Sequence, residues 1–207
     1  MSMMRQYIRC PGFKGRIMFG THAVLRIILF SGLLLVSTQT YTIRSQIAPE
    51  SEYKFKALYL YNFLQFIEWP SSSFPDSSSP IVIGIYGHDP FGTLIDQTFQ
   101  DEQLKGRKLV IHRIQSIDEG LKCHLIFFPR TEREKTSEAI KNFQHSSILT
   151  VGEDDGFMGI GGGINFYLEN KKLRFEINID VVRKANLQVS AKLLQLAKVY
   201  STKPQGD

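Results

Sequence analysis

The stretch IVIGIYGHDPFGTLIDQTF, residues 81–99, decides the predicted fold. It joins a short apolar run, residues 81–86, to a glycine-bearing turn and then to a segment with helical character, residues 91–99. A strand followed by a helix of about ten residues is typical of a parallel sheet with crossover connections. The alternation continues downstream, where we predict strands at residues 109–112, 124–128 and 147–151. Between them we predict a short helix or turn at residues 116–121 and a helix at residues 131–143, capped by Thr131.

The segments before and after this core are predicted to have different secondary structure. Residues 50–69 read as one helix that ends at Pro70, and the serine-rich residues 71–80 read as a loop. At the other end, we predict a hairpin of residues 163–168 and 173–178, followed by helices at residues 179–186 and 190–200. The predicted fold class is α/β, a three-layer α/β/α arrangement with a mainly parallel sheet and a C-terminal β-hairpin plus helices. We expect a single domain over residues 50–202 and a tail over residues 203–207.

The N-terminal region predicts export. Residues 27–36, IILFSGLLLV, form an apolar run of ten residues, whereas a membrane-spanning helix needs about 20. Basic residues precede this run, including Arg16 and Arg26. The pattern predicts a Sec-type signal peptide over residues 1–47, cleaved at about residues 38–48, and a periplasmic location. The alternative is an uncleaved N-terminal anchor.

The net charge of +5 does not indicate nucleic-acid binding. Residues 1–47 hold six Lys or Arg residues and no Asp or Glu. Beyond residue 47, 19 basic residues face 20 acidic ones. The body of the chain therefore lacks the positive excess that binding to a polyanion requires, and we predict no nucleic-acid partner.

Cysteine usage limits redox chemistry. Cys10 lies in the predicted leader, so Cys123 is the only cysteine of the predicted mature chain, and an internal disulfide is excluded there. A buried thiol that acts as a small apolar side chain is the simpler interpretation of Cys123. A redox or interchain role is the alternative.

Known catalytic and cofactor patterns are absent from the sequence. The turn at residues 84–92 is not a dinucleotide-binding G-x-G-x-x-G, and the histidines lack metal-ligand spacing. Cys123 and His124 should point to opposite faces of a strand, which excludes a dyad. The acidic turn at residues 153–156 is interpreted as solvated, with weak cation binding as the alternative. We therefore predict no catalytic residues, no cofactor and no metal.

Two features remain unusual. Seven aromatic side chains fall within residues 53–69 and spread around most of the first helix, which indicates either a sandwiched helix or a partner surface. Asn62 lies in this band and is expected to need a hydrogen-bond partner. The second feature is a polar strip at Arg174, Glu176 and Asn178, which share one face of a strand. The strip is either a solvated sheet face or a recognition surface.

Taken together, the motifs resemble those of the YfiR-like family of periplasmic regulators. The resemblance begins at residues 56–70, KALYLYNFLQFIEWP, and its short motifs follow in order to about residue 200. The residues that carry it are Asn62, Phe63, Trp69, Pro70, Gly87, Arg107, Cys123, His124, Gly156, Phe157, Gly162, Phe175, Ser190, Leu193 and Leu194.

The resemblance implies an exported, non-enzymatic protein. Well-known members bind the periplasmic sensor domain of an inner-membrane diguanylate cyclase and repress it, which lowers cyclic-di-GMP and biofilm formation. They are homodimers, and an outer-membrane lipoprotein can act as a further partner. Their disulfides have no counterpart here. On this reading, the hypothetical contacts are Arg174, Glu176, Asn178, Asp180 and Arg183. A sensor kinase in place of the cyclase is an open alternative.

A second class of function is a periplasmic small-ligand-binding protein that feeds a sensor kinase. Open α/β sheets bind ligands beyond the carboxyl ends of their strands. In this chain, residues 87–92 and 128–130 would lie there.

Overall fold

The computed structural model describes residues 49–201. The predicted leader and the tail at residues 203–207 lie outside the described residues. The helices are α1 (Pro49–Phe66), α2 (Thr93–Phe99), α3 (Ile117–Gly120), α4 (Arg133–Phe143), α5 (Ile179–Lys184) and α6 (Ala191–Leu196), with 3-10 turns at Ser71–Ser73 and Arg130–Glu132. The strands are β1 (Ile67–Glu68), β2 (Ile81–Tyr86), β3 (Gln103–Leu104), β4 (Arg107–Ile114), β5 (Leu125–Phe128), β6 (Leu149–Gly152), β7 (Ile164–Glu169), β8 (Lys172–Asn178), β9 (Gln188–Val189) and β10 (Lys198–Tyr200).

Eight strands form one sheet in the order β10-β8-β7-β6-β5-β2-β4-β3. Neighbours from β7 through β6, β5 and β2 to β4 are parallel, and β10 is parallel to β8. The β7–β8 and β3–β4 pairs are antiparallel. A mainly parallel sheet with a C-terminal hairpin and helices confirms the predicted fold class.

The central strands are buried on both faces, as in parallel sheets covered by helices. In β5, Leu125 and Phe127 belong to one apolar core, whereas Ile126 and Phe128 belong to another. The first core packs against α1, α2 and α6, and the second against α4. The sheet is therefore the middle of three layers.

Helix α1 buries one stripe against the first core. Ala57, Leu60, Phe63 and Leu64 on this stripe are fully buried, and the Phe63 ring stacks on Phe166 of β7 with centroids 5.6 Å apart. The opposite side is exposed and includes Phe55 and Leu58. Asn62 also lies on this exposed side. The expectation that it needs a partner within the aromatic band is therefore wrong, because water can satisfy its amide.

Two segments predicted to be helical end in strands instead. Ile67 and Glu68 leave α1 and pair antiparallel with Val189 and Gln188. Residues 198–200 leave α6 and extend the large sheet beside β8. In both places a pairing with a distant part of the chain replaces the last turn of a predicted helix.

Helix boundaries differ from the predictions where the backbone changes conformation. Helix α2 begins at Thr93 because Gly92 precedes it with a φ of +56°. Thr131 does not cap α4, because it lies inside the 3-10 turn Arg130–Glu132. Glu132 is the residue before α4, and it makes no side-chain capping hydrogen bond.

The glycines at residues 152 and 162 allow one aromatic ring to pack. A Cβ at Gly162 would lie 2.2 Å from the Phe157 ring, and one at Gly152 would lie 2.5 Å from it. Phe157 is fully buried in the second core. Both glycines are therefore required by close packing.

No helix within residues 49–201 is both long and apolar enough to cross a membrane.

Candidate partner-binding face

The β7–β8 hairpin presents a polar sheet face. Asn170 and Lys171 form its two-residue turn, both with positive φ, the geometry that matches the twist of hairpin strands. Cross-strand register places Tyr167 opposite Arg174 and Lys198 beside Glu176. We call this surface the hairpin face, and it consists of Tyr167, Arg174, Glu176, Lys198 and Tyr200.

The charges of the hairpin face are partly paired and accessible. Arg174 is 50% exposed and lies 3.8 Å from a carboxylate oxygen of Glu169. Lys198 is 66% exposed, and its Nζ lies 3.4 Å from Glu176 Oε2 and 5.7 Å from the centre of the Tyr167 ring. Glu176 itself is mostly covered. Exposed ion pairs are weak in water, so these groups can exchange partners at low cost.

Asn178 does not belong to this accessible surface. Its side chain is fully buried, and its Oδ1 accepts a hydrogen bond from the Val181 N–H at 3.2 Å, capping α5. The prediction that it shares a recognition strip with Arg174 and Glu176 is corrected on this point, because capping holds the amide inside the fold. Of the two remaining predicted contacts, Asp180 accepts a hydrogen bond from the Ser201 hydroxyl, and Arg183 is exposed.

A buried ionic cluster lies at the carboxyl ends of β5 and β6. Lys56 of α1 pairs with Glu52 on its own helix and with Glu153, which follows β6. The side chains of Lys56 and Glu153 are each 2% exposed. The backbone N–H of Arg130 donates to Glu153 Oε1 at 3.0 Å, and the Arg130 guanidinium donates to the Glu153 carbonyl. The interpretation of residues 153–156 as a solvated turn is therefore wrong for Glu153.

The cluster also holds the hydroxyl group of Tyr53. This group donates to Glu153 Oε1, and the Lys56 ammonium lies 4.4 Å from the centre of the Tyr53 ring. Burial, followed by the negative charge of Glu153, raises the pKa of Tyr53. The phenol therefore remains a hydrogen-bond donor. Sequence reasoning missed this site, although a lysine on the apolar side of α1 beside Ala57 and Leu60 was a usable signal.

The His124 ring connects the loop of residues 70–80 to the sheet through its two nitrogen atoms. Its Nδ1 accepts the Val82 N–H at 3.1 Å, and its Nε2 lies 3.2 Å from the Ser73 carbonyl oxygen. The Phe74 ring stacks on the imidazole at 4.5 Å. Burial lowers the pKa of His124, and nearby Arg107 acts in the same direction, although the bond to Ser73 opposes it. The ring is therefore neutral, with its proton on Nε2.

Two other family-motif residues act on the same loop. Arg107 donates to the carbonyl oxygens of Asp76 and Ser79 at 2.9 and 2.7 Å and stacks over Phe74. Trp69 donates from its indole nitrogen to the His124 carbonyl. The motif residues Trp69, Arg107 and His124 thus form one structural unit that sets the position of the loop.

Cys123 lies on the opposite face of the sheet from the His124 ring. Its thiol is buried in the second core and lies 3.7 Å from the Glu119 carbonyl oxygen. Burial raises the pKa of Cys123 to about 11. The thiol is protonated at neutral pH and is a poor nucleophile.

Side chains fill part of the space at the carboxyl ends of the parallel strands. A Cβ at Gly87 would lie 2.3 Å from the Glu132 carboxyl carbon, and Glu132 accepts the His88 N–H. A pocket of about 150 Å³ remains beside Pro129 and Arg133, below the usual volume of about 300–1,000 Å³ for ligand sites. Within residues 49–201, no group of three or more His, Cys, Asp or Glu side chains is placed to hold a metal.

The other motif residues hold elements together. Phe63 packs edge-on against Phe175, with centroids 5.0 Å apart. The Ser190 hydroxyl caps α6 by accepting the Leu193 N–H. Leu193 is buried, and Leu194 packs against the first core. Gly156 lies in the turn that precedes Phe157, and Pro70 starts the 3-10 turn after Trp69. In the structure, these residues therefore act by packing, by capping and in turns.

Of two comparisons with known proteins, one found a match, and that match agrees with these motifs. No curated protein matches the chain. A family model described as YfiR/HmsC-like matches residues 53–198, which run from the second turn of α1 to the first residue of β10 and include every residue of the hairpin face except Tyr200. The chain therefore belongs to the YfiR/HmsC-like family, whose theme is non-catalytic, periplasmic regulation of diguanylate cyclases.

Proposed function

We propose that this protein binds the periplasmic sensor domain of an inner-membrane diguanylate cyclase and represses it, which lowers cyclic-di-GMP and biofilm formation. The observation that carries the proposal is the family match over residues 53–198. Export through a cleaved leader, a homodimeric state and an outer-membrane lipoprotein partner belong to the same proposal. A sensor kinase is the alternative receptor.

The hairpin face is the proposed contact surface. It offers an exposed guanidinium, an exposed ammonium and two aromatic rings on a regular sheet. Arg and Tyr are enriched where protein interfaces are energetically important. Arg183, exposed on the following helix, belongs to the proposed contact as well, and its guanidinium would suit an acidic patch on the receptor.

Repression needs only a difference in affinity between two receptor states. A protein that binds the inactive form of the sensor domain more tightly shifts the population toward that form. A difference of about 3 kcal/mol changes the ratio of the two states by roughly 150-fold. No chemistry on the receptor is required.

Cellular cyclic-di-GMP tests the proposal. Deleting the gene should raise the cyclic-di-GMP level, and the wild-type protein supplied in trans should lower it again. Arg174→Glu should fail to restore repression while remaining folded, because the side chain is exposed. The matched control is Lys108→Glu, an exposed lysine on β4 near the opposite edge of the sheet, which should restore it.

Two results would contradict this account. An unchanged cyclic-di-GMP level in the deletion strain would remove the cyclase as the receptor. Full repression by Arg174→Glu would remove the hairpin face as the contact surface.

A further inference from the structure

A cleft of about 550 Å³ lies at the amino ends of β2, β5 and β6. Its walls come from three segments of the chain, residues 72–82, 121–124 and 146–148. The volume is within the range of about 300–1,000 Å³ that is typical of small-molecule sites. The cleft lies at the opposite edge of the parallel strands from the Lys56–Glu153 cluster.

Hydroxyl groups dominate the polar lining. Five of the lining residues are serines, at positions 72, 73, 79, 146 and 147. The Ser73 hydroxyl oxygen is buried and has no hydrogen-bond partner among residues 49–201. A buried hydroxyl without a partner is unfavourable, and a ligand in the cleft could supply one. Apolar groups such as Leu121 and Ile148 complete the lining.

The charge of the lining limits what can bind. Among the lining residues, Lys122 carries the one fixed charge, because His124 is neutral and none is a carboxylate. The cleft also lies at the carboxyl end of α4, where residues 146–147 follow the last helical turn. Helix carboxyl ends disfavour negative charge. The single ammonium of Lys122 can balance one anionic group against this effect, whereas a polyanion such as a nucleotide would place further, unbalanced negative charge there.

One wall of the cleft is held in place before any ligand binds. Its Ser73 carbonyl is fixed by His124, and its Ser79 carbonyl is fixed by Arg107. A site whose walls are already ordered loses less entropy on binding.

We propose that this cleft binds a small metabolite that carries a single carboxylate and several hydroxyl groups. The carboxylate pairs with the Lys122 ammonium, and the hydroxyl groups of the ligand bond to the serine side chains. The site is separate from the hairpin face, so it can be present whether or not the proposed repression is correct.

Binding of gluconate, glycerate and glucose to the purified protein tests the proposal. Calorimetry or amide chemical shifts should report saturable binding of gluconate or glycerate and weaker binding of glucose, which has hydroxyl groups but no charge. Lys122→Glu should reduce the affinity for gluconate by about tenfold or more, because a hydrogen bond to a charged group is lost. Lys141→Glu, at an exposed lysine of α4 that does not line the cleft, should leave the affinity unchanged.

A steric variant keeps the test independent of charge. Ser72 is exposed on the rim, so Ser72→Trp should fold and should block the same ligands. Failure of all three compounds to bind would overturn the proposal. Binding that survives both Lys122→Glu and Ser72→Trp would also overturn it, because the ligand would then occupy another place.

Discussion

The Tyr53 hydroxyl donates a hydrogen bond of 3.0 Å to Oε1 of Glu153, a residue 100 positions further along the chain. This bond joins the first turns of α1 to the end of β6 at the centre of the sheet. Lys56, one turn later, contacts the other oxygen of the same carboxylate. The position of α1 on the sheet therefore depends on a buried charge as well as on apolar packing.

The first prediction concerns this buried carboxylate. Glu153→Gln leaves the Lys56 ammonium buried with a single, partly exposed partner, Glu52. Because the buried Lys56 charge is then compensated only in part, we expect the free energy of unfolding to fall, by up to about 3–5 kcal/mol. Urea denaturation measures this change.

The control for this prediction is Glu68→Gln. Glu68 also pairs with a lysine, Lys105, but both side chains are more than half exposed. Loss of such a pair should cost about 1 kcal/mol or less. If the two substitutions lowered the free energy of unfolding equally, the buried charge of Glu153 would contribute no more than the exposed charge of Glu68.

The second prediction concerns pH. The folded protein holds His124 neutral, so its pKa in the fold lies below that of the unfolded chain, about 6.5. The unfolded state then binds more protons as pH falls through this range. The free energy of unfolding should have its full value above about pH 6.5. Below that pH it should decrease, by at most about 1.4 kcal/mol for each pH unit.

Denaturation curves between pH 7.5 and 5 check this dependence. His124→Gln should be less stable at pH 7.5 and should lose less stability on acidification than the wild type. His145→Gln, at an exposed histidine, is the matched control and should behave as the wild type. A wild-type slope in His124→Gln would assign the pH dependence to other groups.

The third prediction concerns Gly162. An added methyl group there would overlap the Phe157 ring, so Gly162→Ala should destabilise the protein by about 1–3 kcal/mol. Gly159→Ala is the control, because its nearest neighbour would lie at 3.4 Å. The methyl group at residue 162 would also lie 2.7 Å from the Phe157 carbonyl oxygen, so the backbone would have to shift as well as the ring. If Gly162→Ala were as stable as Gly159→Ala, the close packing would be refuted.

Local patterns predicted the centre of the fold well. The apolar run at residues 81–86 and the segment at residues 124–128 were found because strands buried on both faces read as continuous apolar sequence. The hairpin was found from its two extended runs and its short turn. These features depend on neighbours in sequence, so the sequence alone contains the signal.

Long-range contacts explain the errors. Leu193, Leu194, Ala197 and Tyr200 have helical spacing, yet residues 198–200 pair with β8. The same holds for Ile67, whose partner is Val189. Pairing over such distances competes with helix propensity and leaves no local pattern.

The candidate face was only partly predictable. Strand alternation correctly placed Arg174 and Glu176 on one face, but it could not show that Asn178 turns inward to cap α5. Strand alternation also could not place Lys198 on the hairpin face, because Lys198 lies on β10, which is predicted from the sequence to be part of a helix. Lys56 on the apolar side of α1 was a usable signal of a buried charge, but its partner Glu153 could not be predicted, because 97 residues separate the two.

The most direct test of the central claim is co-purification of membrane partners with the tagged protein, followed by mass spectrometry. The account predicts recovery of an integral membrane diguanylate cyclase with a periplasmic domain, retained by Lys108→Glu and lost with Arg174→Glu. Absence of any such cyclase, from an extract in which the tagged protein is abundant and folded, would contradict it.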